Sequence, residues 1–310
     1  MSPHRSFPVP VSRLTPAILA VLLAALPDCG DSKTIVGVPR GRTPQGEIAF
    51  YSDRDGNVEI YTMTAAGKRQ NRLTVNDAID IDPAWSPDGS KVAFMSSRDG
   101  NWEIYVMNAD GSNPLRLTVN AALDARPAWS PDGARIAFCS NRDGDWNIYV
   151  MNADGSNPRA ITSDPATDVG PAWSPDGLLI AFESNRDNGI SHVFVMDADG
   201  GNQANLTPGP ATDQKPSWSP SGDRIAFASD RDGNLEIYVV GADGSRPIRL
   251  THEAAVDDDP AWSPQGDWVT FWSTRTGVSQ VYRMRPDGSE VTNVSRTASD
   301  DAGAEWRPYL

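Results

Sequence analysis

The chain has 310 residues, with 27 lysines and arginines against 41 aspartates and glutamates, a formal net charge of −14. So acidic a surface repels nucleic acid and anionic lipid, and no basic stripe offsets it; cationic partners stay open. Glycine (26) and proline (25) fall in recurring turns, so they punctuate structure and do not mark disorder.

Residues 1–13 carry Arg5 and Arg13 and no acid. Residues 14–26 (LTPAILAVLLAAL) form an apolar run too short to span a membrane and of signal-peptide length. Residues 1–29 are therefore expected to be an export signal. The run closes on Leu26-Pro27-Asp28-Cys29, which resembles a bacterial lipobox. Either Cys29 becomes a lipidated N-terminus, the only membrane contact expected, or the signal is an ordinary cleaved one with an incidental cysteine. Both readings export the chain, to the periplasm or the cell surface. Cys139 is then the one cysteine of the folded part, so no disulfide framework holds it. Residues 30–45 (GDSKTIVGVPRGRTPQ) are polar and aperiodic and read as a flexible linker.

From residue 46 to 310 one pattern repeats: Trp-Ser-Pro-Asp-Gly, then Ile-Ala-Phe-x-Ser-x-Arg-Asp-Gly, then Ile-Tyr-Val-Met-Asn-Ala-Asp-Gly-Ser, then Leu-Thr. Its tryptophans are Trp85, Trp129, Trp173, Trp218, Trp262 and Trp306, spaced 44, 44, 45, 44 and 44 residues apart. A period of this length fits one four-stranded propeller blade per copy. The strands expected in a copy are Pro83 to Ser86, Lys91 to Ser96, Trp102 to Met107 and Leu115 to Thr118, joined by tight turns into an antiparallel meander. The first copy lacks its tryptophan strand, and the last tryptophan strand is followed only by Arg307 to Leu310. The fold expected is all-β: a six-bladed propeller of four antiparallel strands per blade, closed by the C-terminal strand joining the N-terminal blade. Closure removes exposed strand edges. The tryptophans are assigned to packing between blades.

Two faces follow. One carries the repeated Asp-Gly turns. The other carries eight-residue crossovers (75–82, 119–126, 163–170, 208–215, 252–259 and 296–303), and binding belongs on longer, variable loops. Five residues before each tryptophan stands an aspartate: Asp80, Asp124, Asp168, Asp213, Asp257 and Asp301. Each turn between the second and third strands holds an arginine: Arg54, Arg98, Arg142, Arg186, Arg231 and Arg275. The aspartates either ring the channel mouth or serve structure by holding backbone and pairing with those arginines. Sixfold identity favours structure.

Three residues before each tryptophan the chain varies instead: Asp82, Arg126, Gly170, Lys215, Asp259 and Gly303. Variation inside a repeated frame is what a specific site looks like; neutral drift is the alternative. The charged members, with Asp257 and Asp258 beside Asp259, are the partner-binding candidates, and the cluster Asp257-Asp258-Asp259, with Asp80 and Asp82 on another blade, is placed first for a cationic ligand. Replacing Asp257, Asp258 and Asp259 by Asn is expected to weaken binding without unfolding the ring.

Catalytic and cofactor chemistry is not expected. His192 and His252 are too few for an imidazole metal site and read as solvated loop residues. His192 adjoins a one-residue insertion in the fourth blade (Asp187 to Ser191). No nucleophile elbow or phosphate loop occurs, and Asp53-Arg54-Asp55-Gly56-Asn57 lacks the bidentate glutamate of a calcium loop. No carboxylate is expected to stand apart from its sixfold copies. Cys139 reads as a packed thiol.

The run PAWSPDGSKVAFMSSRDGNWEIYVMNADGSNPLRLT and its relatives resemble the TolB-type propeller repeat, a WD-repeat-like blade. The resemblance implies a six-bladed propeller docking peptides and proteins at its channel, as in the periplasmic Tol–Pal envelope system. TolB carries an N-terminal α/β domain, where here only residues 30–45 precede the repeats. The function expected is an exported, non-catalytic, monomeric propeller that binds a protein or peptide of the cell envelope through its crossover face. The alternatives are a hydrolase or lyase acting on an extracellular polymer at the channel, and a purely structural module of an envelope complex.

Overall fold

The computed structural model describes residues 45–308. The export signal expected over 1–29, Cys29 with its lipidation, and residues 30–44 of the linker lie outside the described residues. Twenty-four strands form six antiparallel sheets of four, with no helix among the described residues. Blade 2 runs outward from the channel as Asp80–Trp85, Lys91–Ser96, Glu103–Asn108 and Leu115–Arg116. Blades 3 to 6 repeat it, with innermost strands Asp124–Trp129, Asp168–Trp173, Asp213–Trp218 and Asp257–Trp262. Each blade packs on the next, and the sixth on the first.

Blade 1 is composite. Its innermost strand is Asp301–Trp306, paired antiparallel with Glu47–Ser52, so that Ile48 faces Trp306 and Ser52 faces Asp301. Arg307 donates its backbone N–H to the Glu47 carbonyl (2.8 Å) and pairs its guanidinium with the Glu47 carboxylate (2.8 Å). The two ends of the propeller are thus joined by backbone, by charge and by core.

The repeated apolar letters do the same work in every blade. Phe50, Phe94, Phe138, Phe182, Phe227 and Phe271 are fully buried, each against the aromatic ring of the third strand. The tryptophans lie between blades, as expected. Trp218 packs with Ala181, Val193 and Val195 of blade 4, and Trp306 with Trp268 and Val281 of blade 6. A fully buried large apolar side chain contributes roughly 1.5–3 kcal/mol, so these contacts hold the ring together. The Asp-Gly turns have a packing reason too. A Cβ on Gly111 (φ 84°) would lie 2.5 Å from the Leu73 carbonyl oxygen of the preceding blade.

The innermost strands begin earlier than the sequence suggests. Blade 2 enters its sheet at Asp80, not at Pro83, and the expected crossover residues 80–82 are strand. The register shifts between Ile81 and Ala84, because Asp82 forms a bulge with φ 51°. A bulge interrupts the two-residue alternation that marks a strand in sequence.

Candidate functional site

The six repeated aspartates do not face the channel. Asp80, Asp124, Asp168, Asp257 and Asp301 have no exposed surface and Asp213 has 1%. Each pairs with the arginine of its own blade at 2.7–3.0 Å. Each guanidinium also lies over the paired aromatic rings, as Arg98 does over Phe94 and Tyr105. Burial pushes the Asp168 and Asp257 carboxyls above their ordinary range, against the pull of neighbouring hydroxyls and Arg186 or Arg275. The ring is a set of clamps tying each innermost strand to the next turn. Asp257 is one of them and is not offered to a ligand.

The variable residues form the channel wall. Asp82 (φ 51°), Arg126 (51°), Lys215 (56°), Asp259 (57°), Gly170 (63°) and Gly303 (62°) occupy equivalent bulges and line a cavity of about 290 Å³. A left-handed backbone costs a residue with a Cβ on the order of 1–2 kcal/mol. Gly170 and Gly303 show that the frame accepts glycine here, yet four blades carry charged residues at this cost. These two glycines lie on opposite blades, and each makes room for a side chain from its own second strand. A Cβ on Gly170 would sit 2.7 Å from Glu183 Oε1, and one on Gly303 2.4 Å from the Tyr51 ring.

The wall is therefore polarised. On one side Glu183 pairs with Arg126 (2.8 Å) and accepts the backbone N–H of Lys215 (3.0 Å). On the other, Asp82 and Asp259 flank Gly303 and the Tyr51 ring, and Asp259 reaches Lys215 Nζ at 3.6 Å. Asp258 lies behind, accepting from Gln214 Nε2 (2.8 Å) and from the Asp259 N–H (2.7 Å). Burial and then Asp259 push its carboxyl up to about 7. Burial opposes the Lys215 charge and so does Arg126, but Asp259, Asp82 and Glu183 together hold its ammonium above the ordinary value.

Glu305 completes the acidic side. Five blades carry Ala84, Ala128, Ala172, Ser217 or Ala261 at its position. No hydrogen bond or ion pair reaches its carboxylate among the described residues. Burial and the Asp259 charge push it up to about 8. The expectation that no carboxylate stands apart from sixfold copies is thereby corrected: Glu183, Asp258 and Glu305 each stand where the other blades have no acid. A signal existed, a single charged letter in an otherwise uncharged column. Glu183 and Glu305 were missed because the functional reading followed only the most variable column.

The Glu305 shift has a signed consequence. Its folded value lies above its unfolded one, so its burial costs nothing at pH 4 and the cost grows as pH rises to about 8. Glu305→Gln is expected to raise the melting temperature little at pH 4.5 and by roughly 5–10 °C at pH 8.5, from about 3 kcal/mol of relieved penalty. Thermal scans of both proteins across that range check it; the absence of a gain at pH 8.5 would place Glu305 in open water.

Two other readings are settled by position. His192 is not a solvated loop residue: it opens the strand His192–Asp197, is 2% exposed, and its Nδ1 lies 3.0 Å from the Thr207 carbonyl oxygen. The extra residue before it is absorbed by the turn, so the register puts it opposite Ser184, where Glu59, Glu103 and Glu236 stand opposite serines elsewhere. Cys139 is fully buried with its Sγ 3.3 Å from the Ala125 carbonyl oxygen, and burial pushes its thiol up to about 12, which leaves it inert.

Six four-stranded blades, closed by a strand from each end of the chain around a polarised channel, define a six-bladed β-propeller. The model of the TolB beta propeller domain matches residues 25–127, 120–215 and 209–309, and the chain belongs to that family. Residue identity to curated relatives is local. The Tol-Pal system protein TolB of Geobacter sulfurreducens is 48% identical over 44 residues, 14% of this chain. That of Desulfosudis oleivorans is 44% identical over 45 residues, also 14% of this chain. Each match takes in 10% of the relative's length. The crystal structure of TolB from Acinetobacter baumannii superposes with a TM-score of 0.78 at 22% identity, covering 85% of this chain and 67% of that one, a likeness of fold.

Proposed function

We propose that this chain is an exported, non-catalytic propeller that binds a protein or peptide partner of the cell envelope at the channel and its crossover face. The observation that carries the reading is the wall itself. A frame repeated six times holds, at one strained position, Asp82, Arg126, Lys215 and Asp259 where glycine would fit. Arg69, Arg246 and Glu290 take the same backbone in outer turns, but among the described residues only in the wall do such strained charged residues converge on one cavity. The Tol-Pal names of the relatives support an envelope partner. Export through residues 1–29, a lipid at Cys29 and a monomeric state belong to the same proposal. Asp82 and Asp259 receive the cationic part of the partner, and Arg126 and Lys215 its anionic part.

Affinity capture from an envelope extract tests this, with Asp82→Asn/Asp259→Asn as the comparison. One stoichiometric protein is expected on the unaltered chain and at least about tenfold less on the variant, since two charge-assisted contacts contribute roughly 1.5–3 kcal/mol each. Equal recovery on both would remove the channel from the interaction. The rival reading, a hydrolase or lyase, draws on one observation: a protonated Glu305 beside the carboxylate of Asp259 is an acid-base pairing. Turnover of a polysaccharide or peptide that is lost in Glu305→Gln would replace the binding reading with that one.

A further inference from the structure

We propose that the groove between blades 2 and 3, on the face of the Asp-Gly turns, is a second binding site that takes an arginine-bearing peptide segment of a partner protein. This site stands independently of the channel. The groove encloses about 720 Å³ between Val106, Leu115 and Leu117 of blade 2 and Trp129 and Pro131 of blade 3. Leu115 is 59% exposed. Of the six inter-blade tryptophans, Trp129 alone is not buried.

Three of the other five inter-blade tryptophans show what can lie on that indole, while Trp218 and Trp306 instead follow Leu179 and Trp268 at the equivalent place. Arg135 lies over Trp173 at 4.6 Å, Arg224 over Trp262 at 4.9 Å and Arg307 over Trp85 at 4.8 Å. Arg135 and Arg224 open the second strand of the blade before their tryptophan. The residue at that place before Trp129 is Lys91, whose side chain is exposed and makes no ring contact among the described residues. Blades 5 and 6 give the contrast. Ile248 there is 49% exposed, like Leu115, but Arg224 already covers the tryptophan.

The rim supplies the matching charge. Asp88, Asp132 and Asp154 line the groove, with Lys91 the only cation of the lining among the described residues. Hydrogen bonds from Ser86 and Ser90 to Asp88, from Ser130 and the Ala134 N–H to Asp132, and from Ser156 to Asp154 hold these carboxyls below their ordinary range. They stay charged at any physiological pH. A guanidinium fits both demands, since its face stacks on an indole while its edge donates to carboxylates; an ammonium is more strongly hydrated and has no such plane. Apolar residues beside the arginine meet Leu115 and Leu117.

The probe is acetyl-Leu-Arg-Leu-amide, with citrulline in place of arginine as its uncharged counterpart. The readout is the indole N–H resonance of Trp129, assigned by its disappearance in Trp129→Phe. A saturable shift is expected with the arginine peptide and one at least about fivefold weaker with citrulline. Lys91→Arg supplies the missing guanidinium from within, so it is expected to move the resonance unaided and to abolish the response to peptide. As a conservative change at an exposed side chain, it carries the test even where Trp129→Phe fails to fold. No shift, an equal response to citrulline, or an undiminished response in Lys91→Arg would overturn the proposal. So would a shift produced by concentrating the chain alone, which would seat a second copy in the groove.

Discussion

Deleting residues 301–310 is expected to abolish cooperative thermal unfolding, and Trp306→Ala alone to lower the melting temperature by roughly 6–20 °C, from a loss of about 3–5 kcal/mol. The deletion removes the innermost strand of blade 1 whole. Glu47–Ser52 is then an open edge facing the channel, Arg54 loses Asp301, and Ile48, Phe50 and Trp268 lose the indole they pack against. No other described strand can substitute, because the other five inner strands are already paired within their own blades. A bare edge beside exposed aromatic residues is also a template for association between chains. Size-exclusion chromatography and calorimetry on the truncated chain check both effects. A monomer with an unchanged transition would mean that the ring does not depend on this clasp. Trp129→Ala is the internal control: its partly exposed indole buries less area, so the loss is smaller than at Trp306.

The ring was legible because redundancy did the reading. One blade could not be told from any short antiparallel meander, but six copies with an unpaired strand pattern at each end leave closure as the arrangement that satisfies both. The channel was legible only in part. The column holding Asp82, Arg126, Lys215 and Asp259 showed itself by varying. That the column is a left-handed bulge did not, since five of its six members directly precede a proline and so read as the end of a crossover loop. Glu183 and Tyr51 reach the wall only because Gly170 and Gly303, on the adjoining strand, have no Cβ to block them. That is a relation across a sheet, and spacing along the chain does not express it. His192 misled for a related reason: an inserted residue looks like loop, and only the restored register puts the histidine back inside.

Neighbouring aspartates are expected to answer oppositely to substitution. Asp257→Ala should cost about 3–5 kcal/mol, the penalty for leaving a buried charge without its partner. Arg275 would keep its place over Phe271 and Tyr282 while losing the buried carboxylate at 2.8 Å and keeping only the exposed Glu253 at 3.8 Å. Asp259→Asn, two residues on, should leave stability within about 1 kcal/mol, because the lost pairing with Lys215 is partly exposed and is offset by relief from Asp258 and Glu305. Its effect belongs on ligand affinity instead. The expectation that Asp257, Asp258 and Asp259 could be neutralised together without harm is corrected on this point: the first is a clamp, and only the other two belong to the channel. Urea titration of the two single variants separates them. A midpoint for Asp257→Ala equal to that of the unaltered chain would show that Arg275 finds water when its partner goes, and the clamps of all six blades would then have to be read as surface pairs.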